Sequence, residues 1–262
     1  MQINTKINSP NYSTRNSEIN FIIIHYTEMT FEGAIERLCN SSSGVSCHYL
    51  IKVDGQIFQL VDDQYKAWHA GESSWKEIQG LNDSSIGIEL DNMGHNFFSV
   101  AQMNSCIDLC QKLVYVHNIP RSNILGHSDI APARKIDPGV FFEWQYLAKY
   151  KLGLWHNIDA VYAHPKTLFQ FGDNSSEILV LQSNLKKLGY MIQLTGVFDE
   201  QTNFVIRSFQ AHFYSKLIRR HSMDFYHSNH SQYSWDSVSD KMLQNMLNLL
   251  CSAGSKIDIS SQ

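Results

Sequence analysis

The sequence lacks most features that would place it by composition alone. Its 262 residues include only five cysteines: Cys39, Cys47, Cys106, Cys110 and Cys251. An odd number without a C-x-x-C pair argues against a disulfide framework or a thiolate zinc knuckle, so buried free thiols are expected. No apolar run approaches the length of a membrane span. The opening stretch MQINTKINSPNYSTRNSEIN has no apolar segment of the kind a signal peptide needs. A positive excess is missing too. Twelve Lys and Arg face seventeen Asp and Glu in residues 1–160, and nine face eight in residues 161–262. Neither part can track a phosphate backbone, which argues against nucleic acid as a partner. The chain shows no solenoid-like internal repeat and no G-x-S-x-G elbow for a serine hydrolase.

What is present is enough for a packed core, with 43% hydrophobic residues and 12% aromatics. FIIIHYT (Phe21–Thr27) reads as a strand buried on both faces, with His25 near its C-terminal end. TFEGAIERLCN reads as a helix capped by Thr30, with Phe31, Ile35 and Leu38 on one stripe. HYLIKVDGQIFQLVD (His48–Asp62) is a hairpin signal around Asp54-Gly55, expected as a tight two-residue turn. In SSIGIELDN, alternation puts Ile86, Ile88 and Leu90 on one face and Gly87, Glu89 and Asp91 on the other. Ser99 and Gln102 form a capping-box start for a helix that must stop before Pro120, and a further helix is expected around Phe141–Leu152. Strands mixed with covering helices predict an α/β domain over residues 1–160. Residues 161–174 read as a linker. From residue 175 to 262 the pattern is helical only: Ile178, Leu181, Leu185 and Leu188 mark a first helix ending at Gly189, Val205 and Phe209 a second, and Val238, Met242, Met246 and Leu249 a third.

One loop gathers unusual chemistry. GHSDIAPARKIDPG (Gly126–Gly139) holds His127, Asp129, Arg134, Lys135 and Asp137 between two prolines and two glycines. A catalytic zinc needs three nitrogen or oxygen ligands and an open position, and such ligands are best held at the ends of strands. His25 fits that place, with His127 and Asp137 as partners from elsewhere. Lys135, two residues before Asp137, projects to the same side if the segment is extended. Each residue has an ordinary reading as well: His25 as a satisfied core histidine, Asp137-Pro-Gly as turn chemistry, Glu89 as a sheet-edge carboxylate facing water. Cys47 and His48, as strand neighbours, point to opposite faces and do not form a thiol dyad.

Taken together, IIIHYT, SCHYLIKVDGQIFQLV, AWHAG, SIGIEL and GHSDIAPARKIDPG resemble the zinc-dependent N-acetylmuramoyl-L-alanine amidases of the AmpD/AmiD type, relatives of the peptidoglycan recognition proteins. The resemblance runs in order from Ile19 to Lys151. It implies a mixed β-sheet flanked by helices, one catalytic Zn2+ on His25, His127 and Asp137, and catalytic roles for Glu89 and Lys135. It further implies that Trp68, His69 and Asn92 line the substrate cleft, whereas His48 is a structural residue. The implied reaction is hydrolysis of the amide between N-acetylmuramic acid, or its 1,6-anhydro form, and L-alanine, in bacterial wall turnover and recycling.

The tail VLQSNLKKLGY…TGVFDEQTNFVIRSFQ resembles the first two helices of a three-helix peptidoglycan-binding module. The His/Ser-rich residues 221–234 depart from it; His221, His227 and His230 read as a solvated loop rather than a second metal site. Two alternatives remain at this stage: a wall-binding sensor without catalysis, and a metallopeptidase acting on another amide. The module favours the cell envelope or periplasm, the missing signal segment the cytoplasm. Peptidoglycan or muropeptide is the expected partner, and nothing points to an obligate protein partner.

Overall fold

A computed structural model of the chain describes residues 1–158, 165–220 and 232–254. It divides into two units, Met1–Leu154 and Trp155–Gln262. In the first, β1 (Ile3–Asn4) and β2 (Tyr12–Thr14) precede β3 (Phe21–Tyr26), whose first five residues are buried. Helix α1 (Phe31–Leu38) begins where the Thr30 hydroxyl accepts the Gly33 N–H. Next come β4 (Tyr49–Ile51), β5 (Ile57–Gln59), β6 (Tyr65–Ala67), β7 (Ser74–Trp75), β8 (Ile78–Gln79) and β9 (Ser85–Leu90). Helix α2 (Val100–Val116) carries the expected Ser99/Gln102 capping box. Strand β10 (Ile124–Gly126) runs directly into the short α3 (His127–Ile130), and α4 (Trp144–Lys149) follows.

Six strands form one mixed sheet in the order β1-β5-β4-β9-β3-β10. The centre, β4-β9-β3-β10, is parallel, and β5 returns antiparallel beside β4. In that register His25 lies directly across from Glu89, and Leu50 across from Glu89 on its other side. Residues paired in this way project from the same face. Leu50 packs there with Ala34 and Leu38 of α1, so the face carrying His25 and Glu89 is roofed by a helix. The Gln102 side chain ties the start of α2 to the carbonyls of Ile51 and Asp91.

Several expectations change. The hairpin between β4 and β5 turns through three residues, Val53, Asp54 and Gly55, because Lys52 and Gln56 still pair and the Gly55 N–H returns to Lys52 O. Gly55 takes a φ of +86°, the left-handed residue such a three-residue loop requires. The helix expected over Phe141–Leu152 is limited to Trp144–Lys149.

The second unit contains β11 (Thr167–Gln170), α5 (Ser176–Leu188), α6 (Glu200–Phe213), α7 (Ser215–Arg220), β12 (Ser234–Asp236) and α8 (Ser237–Gly254). The stretch read as linker thus holds a strand, β11, which pairs antiparallel with β12. Its partner lies more than sixty residues further along, too far for local pattern to reveal. Ile178, Leu181, Leu185 and Leu188 are buried as the stripe predicts, as are Val205, Phe209, Val238, Met242 and Met246. Leu249 is the exception, being 42% exposed on the last turns of α8. Buried Gln182 knots this unit together: its amide donates toward Thr195 Oγ1, Val197 O and Thr202 Oγ1, and its oxygen accepts the N–H groups of Thr195 and Gly196. His221, His227 and His230 lie outside the described residues.

Candidate active site

The site is assembled where β3, β9 and β10 end. Their parallel register brings His25 and Glu89 side by side, and β10 delivers His127 as the residue after Gly126. The Asp129 carboxylate accepts the Gly126 N–H at 2.7 Å, and the Ser128 N–H donates to Asp137 O at 2.8 Å. These bonds fold the loop back so that Asp137 faces His127. Gly126 is needed for the approach, since a Cβ there would meet Pro138 Cδ at 2.8 Å. Residues 131–135 form a turn, with Arg134 and Lys135 both donating to Ala131 O, rather than the extended segment considered from sequence. Lys135 and Asp137 nevertheless line one cavity.

That cavity has a volume of about 320 Å³, and its walls include His25, Glu89, His127, Lys135, Asp137 and Trp68. His25 Nδ1, His127 Nδ1 and Asp137 Oδ2 each lie 3.0 Å from the other two. All three residues are buried. The far nitrogens are committed elsewhere: His127 Nε2 to Ala70 O at 3.1 Å, and His25 Nε2 to His69 Nδ1 at 3.1 Å. Burial, together with neighbouring His127, lowers the His25 pKa to about 4, so its contact with Asp137 is not an ion pair at neutral pH. Burial alone would raise the Asp137 carboxyl, but the two imidazoles hold it well below the ordinary carboxylate range. Two imidazole nitrogens and a carboxylate oxygen therefore converge on one point. Such a donor set fits a divalent cation, and among the described residues it is the metal-competent cluster found.

Glu89 stands beside it. Burial, aided by the charge of Asp137 and opposed by Lys135, raises its pKa to about 8. Its Oε2 is buried and has no hydrogen-bond partner within the chain, an arrangement that usually costs a few kcal/mol. Trp68 forms part of the wall and anchors its indole N–H on Ser13 Oγ. Asn92 is not brought into this cavity. It lines a neighbouring groove with Met93 and Phe97, and its side chain bonds to Gly94 N and Asn96 O, shaping the loop after β9. His48 is structural as expected, accepting the Gly87 N–H through Nδ1. Cys47 is fully buried, its thiol pushed up by desolvation.

Sequence reasoning overlooked Tyr26 and Arg37, which also line the cavity. Tyr26 adjoins His25 on β3, but its exposure at a strand end gave no signal. Arg37 sits on the polar side of α1, where a solvated charge is the ordinary expectation. Arg134 proves to be a brace, donating to Ala70 O and Glu72 O at 2.7 Å.

A metal-competent triad with an adjacent raised carboxyl, at the end of a mixed sheet, defines the class of metal-dependent hydrolases. The comparisons narrow this. A family model described as N-acetylmuramoyl-L-alanine amidase matches residues 15–140, and one described as putative peptidoglycan binding domain matches residues 174–214. The N-acetylmuramoyl-L-alanine amidase AmiD of Escherichia coli is 36% identical over 213 residues, covering 74% of this chain and 75% of AmiD. The 1,6-anhydro-N-acetylmuramyl-L-alanine amidase AmpD of Haemophilus influenzae is 33% identical over 168 residues, covering 56% of this chain and 91% of AmpD. Among solved structures, the complex of E. coli AmiD with anhydro-N-acetylmuramic acid-L-Ala-D-gamma-Glu-L-Lys superposes with a TM-score of 0.72 at 29% identity, covering 90% of this chain and 92% of that one. AmpDH3 from Pseudomonas aeruginosa with anhydromuramic pentapeptide gives 0.71 at 25% identity, covering 94% and 98%. The chain belongs to the N-acetylmuramoyl-L-alanine amidase family, in which zinc dependence is general. It is an amidase of peptidoglycan turnover with a C-terminal peptidoglycan-binding module.

Proposed function

We propose that the chain cleaves the amide between the lactyl group of N-acetylmuramic acid, in intact or 1,6-anhydro form, and L-alanine, using one zinc ion held by His25, His127 and Asp137. The observation that carries this reading is the unpartnered Glu89 Oε2 next to three convergent lone pairs. Zinc held there would supply Lewis-acid activation of the scissile carbonyl and of the attacking water. Glu89 is placed to accept a proton from the attacking water and to return it to the departing L-alanine amine. Lys135 draws Glu89 toward the ionised form a base requires, against burial and the charge of Asp137. The Lys135 ammonium faces the negative charge that grows on the carbonyl oxygen. Trp68 provides an apolar wall for the substrate.

Residues 175–262 serve as the anchor on polymer, which favours action at the envelope. Tethering raises local substrate concentration, to the mM range for a short flexible link. Two experiments test the reading. Zinc analysis with mass spectrometry of digested muropeptide, with and without chelator, should show metal-dependent release of peptide beginning at L-alanine; release that ignores the chelator would end the zinc assignment. Removing residues 175–262 should weaken activity on intact sacculi more than on soluble muropeptide, and equal losses would count against the anchor.

A further inference from the structure

Both triad histidines present Nδ1 to the centre, and what fixes that choice lies one layer behind them. It starts at a backbone carbonyl. Leu81 O can only accept, so Ser85 Oγ, 2.6 Å away, donates its single proton there. Ser85 then offers a lone pair to His69 Nε2 at 3.3 Å. His69 carries its proton on Nε2 and turns a bare Nδ1 to His25 Nε2, 3.1 Å away. His25 must therefore donate from Nε2, which leaves its Nδ1 lone pair facing His127 and Asp137. The direction of every proton in this chain follows from one carbonyl oxygen.

His127 is set by the next residue. Its Nε2–H donates to Ala70 O at 3.1 Å. The main chain of the same two residues is gripped from behind, where Asn82 Oδ1 accepts the N–H groups of His69 at 3.0 Å and Ala70 at 2.7 Å. Asn82 belongs to the tight turn Leu81–Ser84 that also supplies the terminal carbonyl. The His69 ring occupies room left by Gly87, where a Cβ would come within 2.3 Å of it. An edge of the ring reaches the cavity, but both of its nitrogens are taken, leaving no polar atom for a substrate.

Building on the zinc reading above, we propose that His69 is a positioning residue and not a substrate contact: with Ser85 and Asn82 it fixes the tautomers of His25 and His127 for metal capture. Partners of this kind commonly change metal affinity by about 10–100-fold when removed.

The test uses the full chain, stripped of metal and labelled with 15N at histidine. Long-range proton–nitrogen correlation spectra should show His25 protonated at Nε2. Zinc affinity is read in parallel by competition with a chromophoric chelator. His69→Leu should lose the tautomer preference and bind zinc on the order of 10–100-fold more weakly. His69→Asn, whose Oδ1 replaces the Nδ1 acceptor, should restore affinity to within a few fold. Ser85→Ala removes one oxygen and should weaken binding about tenfold; it carries the test if His69→Leu does not fold by circular dichroism. Unchanged zinc affinity in the folded variants overturns the proposal, and a raised KM alongside it would return His69 to the substrate. A parent chain that takes up no zinc would refute the metal reading itself.

Discussion

Two buried polar regions of this chain are built on opposite principles. Around Gln182 every strong donor and acceptor of the side chain is matched within its own unit. Around Glu89 a carboxylate oxygen is buried with no partner, beside two imidazole nitrogens and a carboxylate oxygen 3.0 Å from one another. Matched polar groups specify a fold and stabilise it modestly, whereas unmatched ones destabilise it. The first region is architecture; the second gathers a donor set that fits a divalent cation. Composition does not separate them, since each is a set of polar residues among apolar ones.

Substitutions should break this comparison in opposite directions. Glu89→Gln should retain zinc yet lower turnover by about 10²–10⁴, checked by kcat on soluble muropeptide beside metal content; near-normal turnover would remove Glu89 from the mechanism. Lys135→Ala should cost on the order of 10²–10³ in kcat with zinc retained, and a change confined to KM would make it a binding group. Gln182→Ala should leave kcat on soluble muropeptide untouched and destabilise the second unit by about 1–3 kcal/mol, measured by chemical denaturation. The smallest effect concerns pH in the metal-free chain. Glu89 has a pKa of about 8 when folded against an ordinary 4.5, so the folded state holds more protons between those values. Stability should therefore fall as pH rises from about 4.5 to 8. His25 acts oppositely: its folded pKa of about 4 lies below 6.5, so its contribution is lost as pH falls through that interval. Glu89→Gln should remove the fall between about 6.5 and 8 and unmask the opposing His25 slope below 6.5, as thermal melts across pH would show.

Sequence alone reached the residues with chemistry of their own. His25, Glu89 and Asp137 drew notice because an ionisable group inside an apolar strand, or beside Pro-Gly, contradicts its surroundings, while the roles of all five, His127 and Lys135 included, came from the family resemblance. The structure places all five on one cavity. Ser85 and Asn82 gave no such signal, because serine and asparagine near a strand start are ordinary, and their effect depends on which carbonyl lies opposite. Asn92 went the other way: its place after IGIEL suggested the cleft, while its side chain is spent on its own loop. The six-stranded sheet was legible through its two long strands and the β4–β5 hairpin. Strands β1 and β10 have too few side chains for alternation to show and exist through pairing with distant partners. Leu249 kept the helical spacing but lies where α8 leaves its neighbours.

The empty position at Gly87 has a last consequence. A strand is ordinarily a row of side chains, and the depth of a pocket above it is set by what they fill. Here one tooth of the row is missing, and an imidazole from another segment is seated in the gap. The floor of the active site is thus interleaved from two stretches of chain, so its shape depends on a hydrogen atom where any other residue would place a carbon.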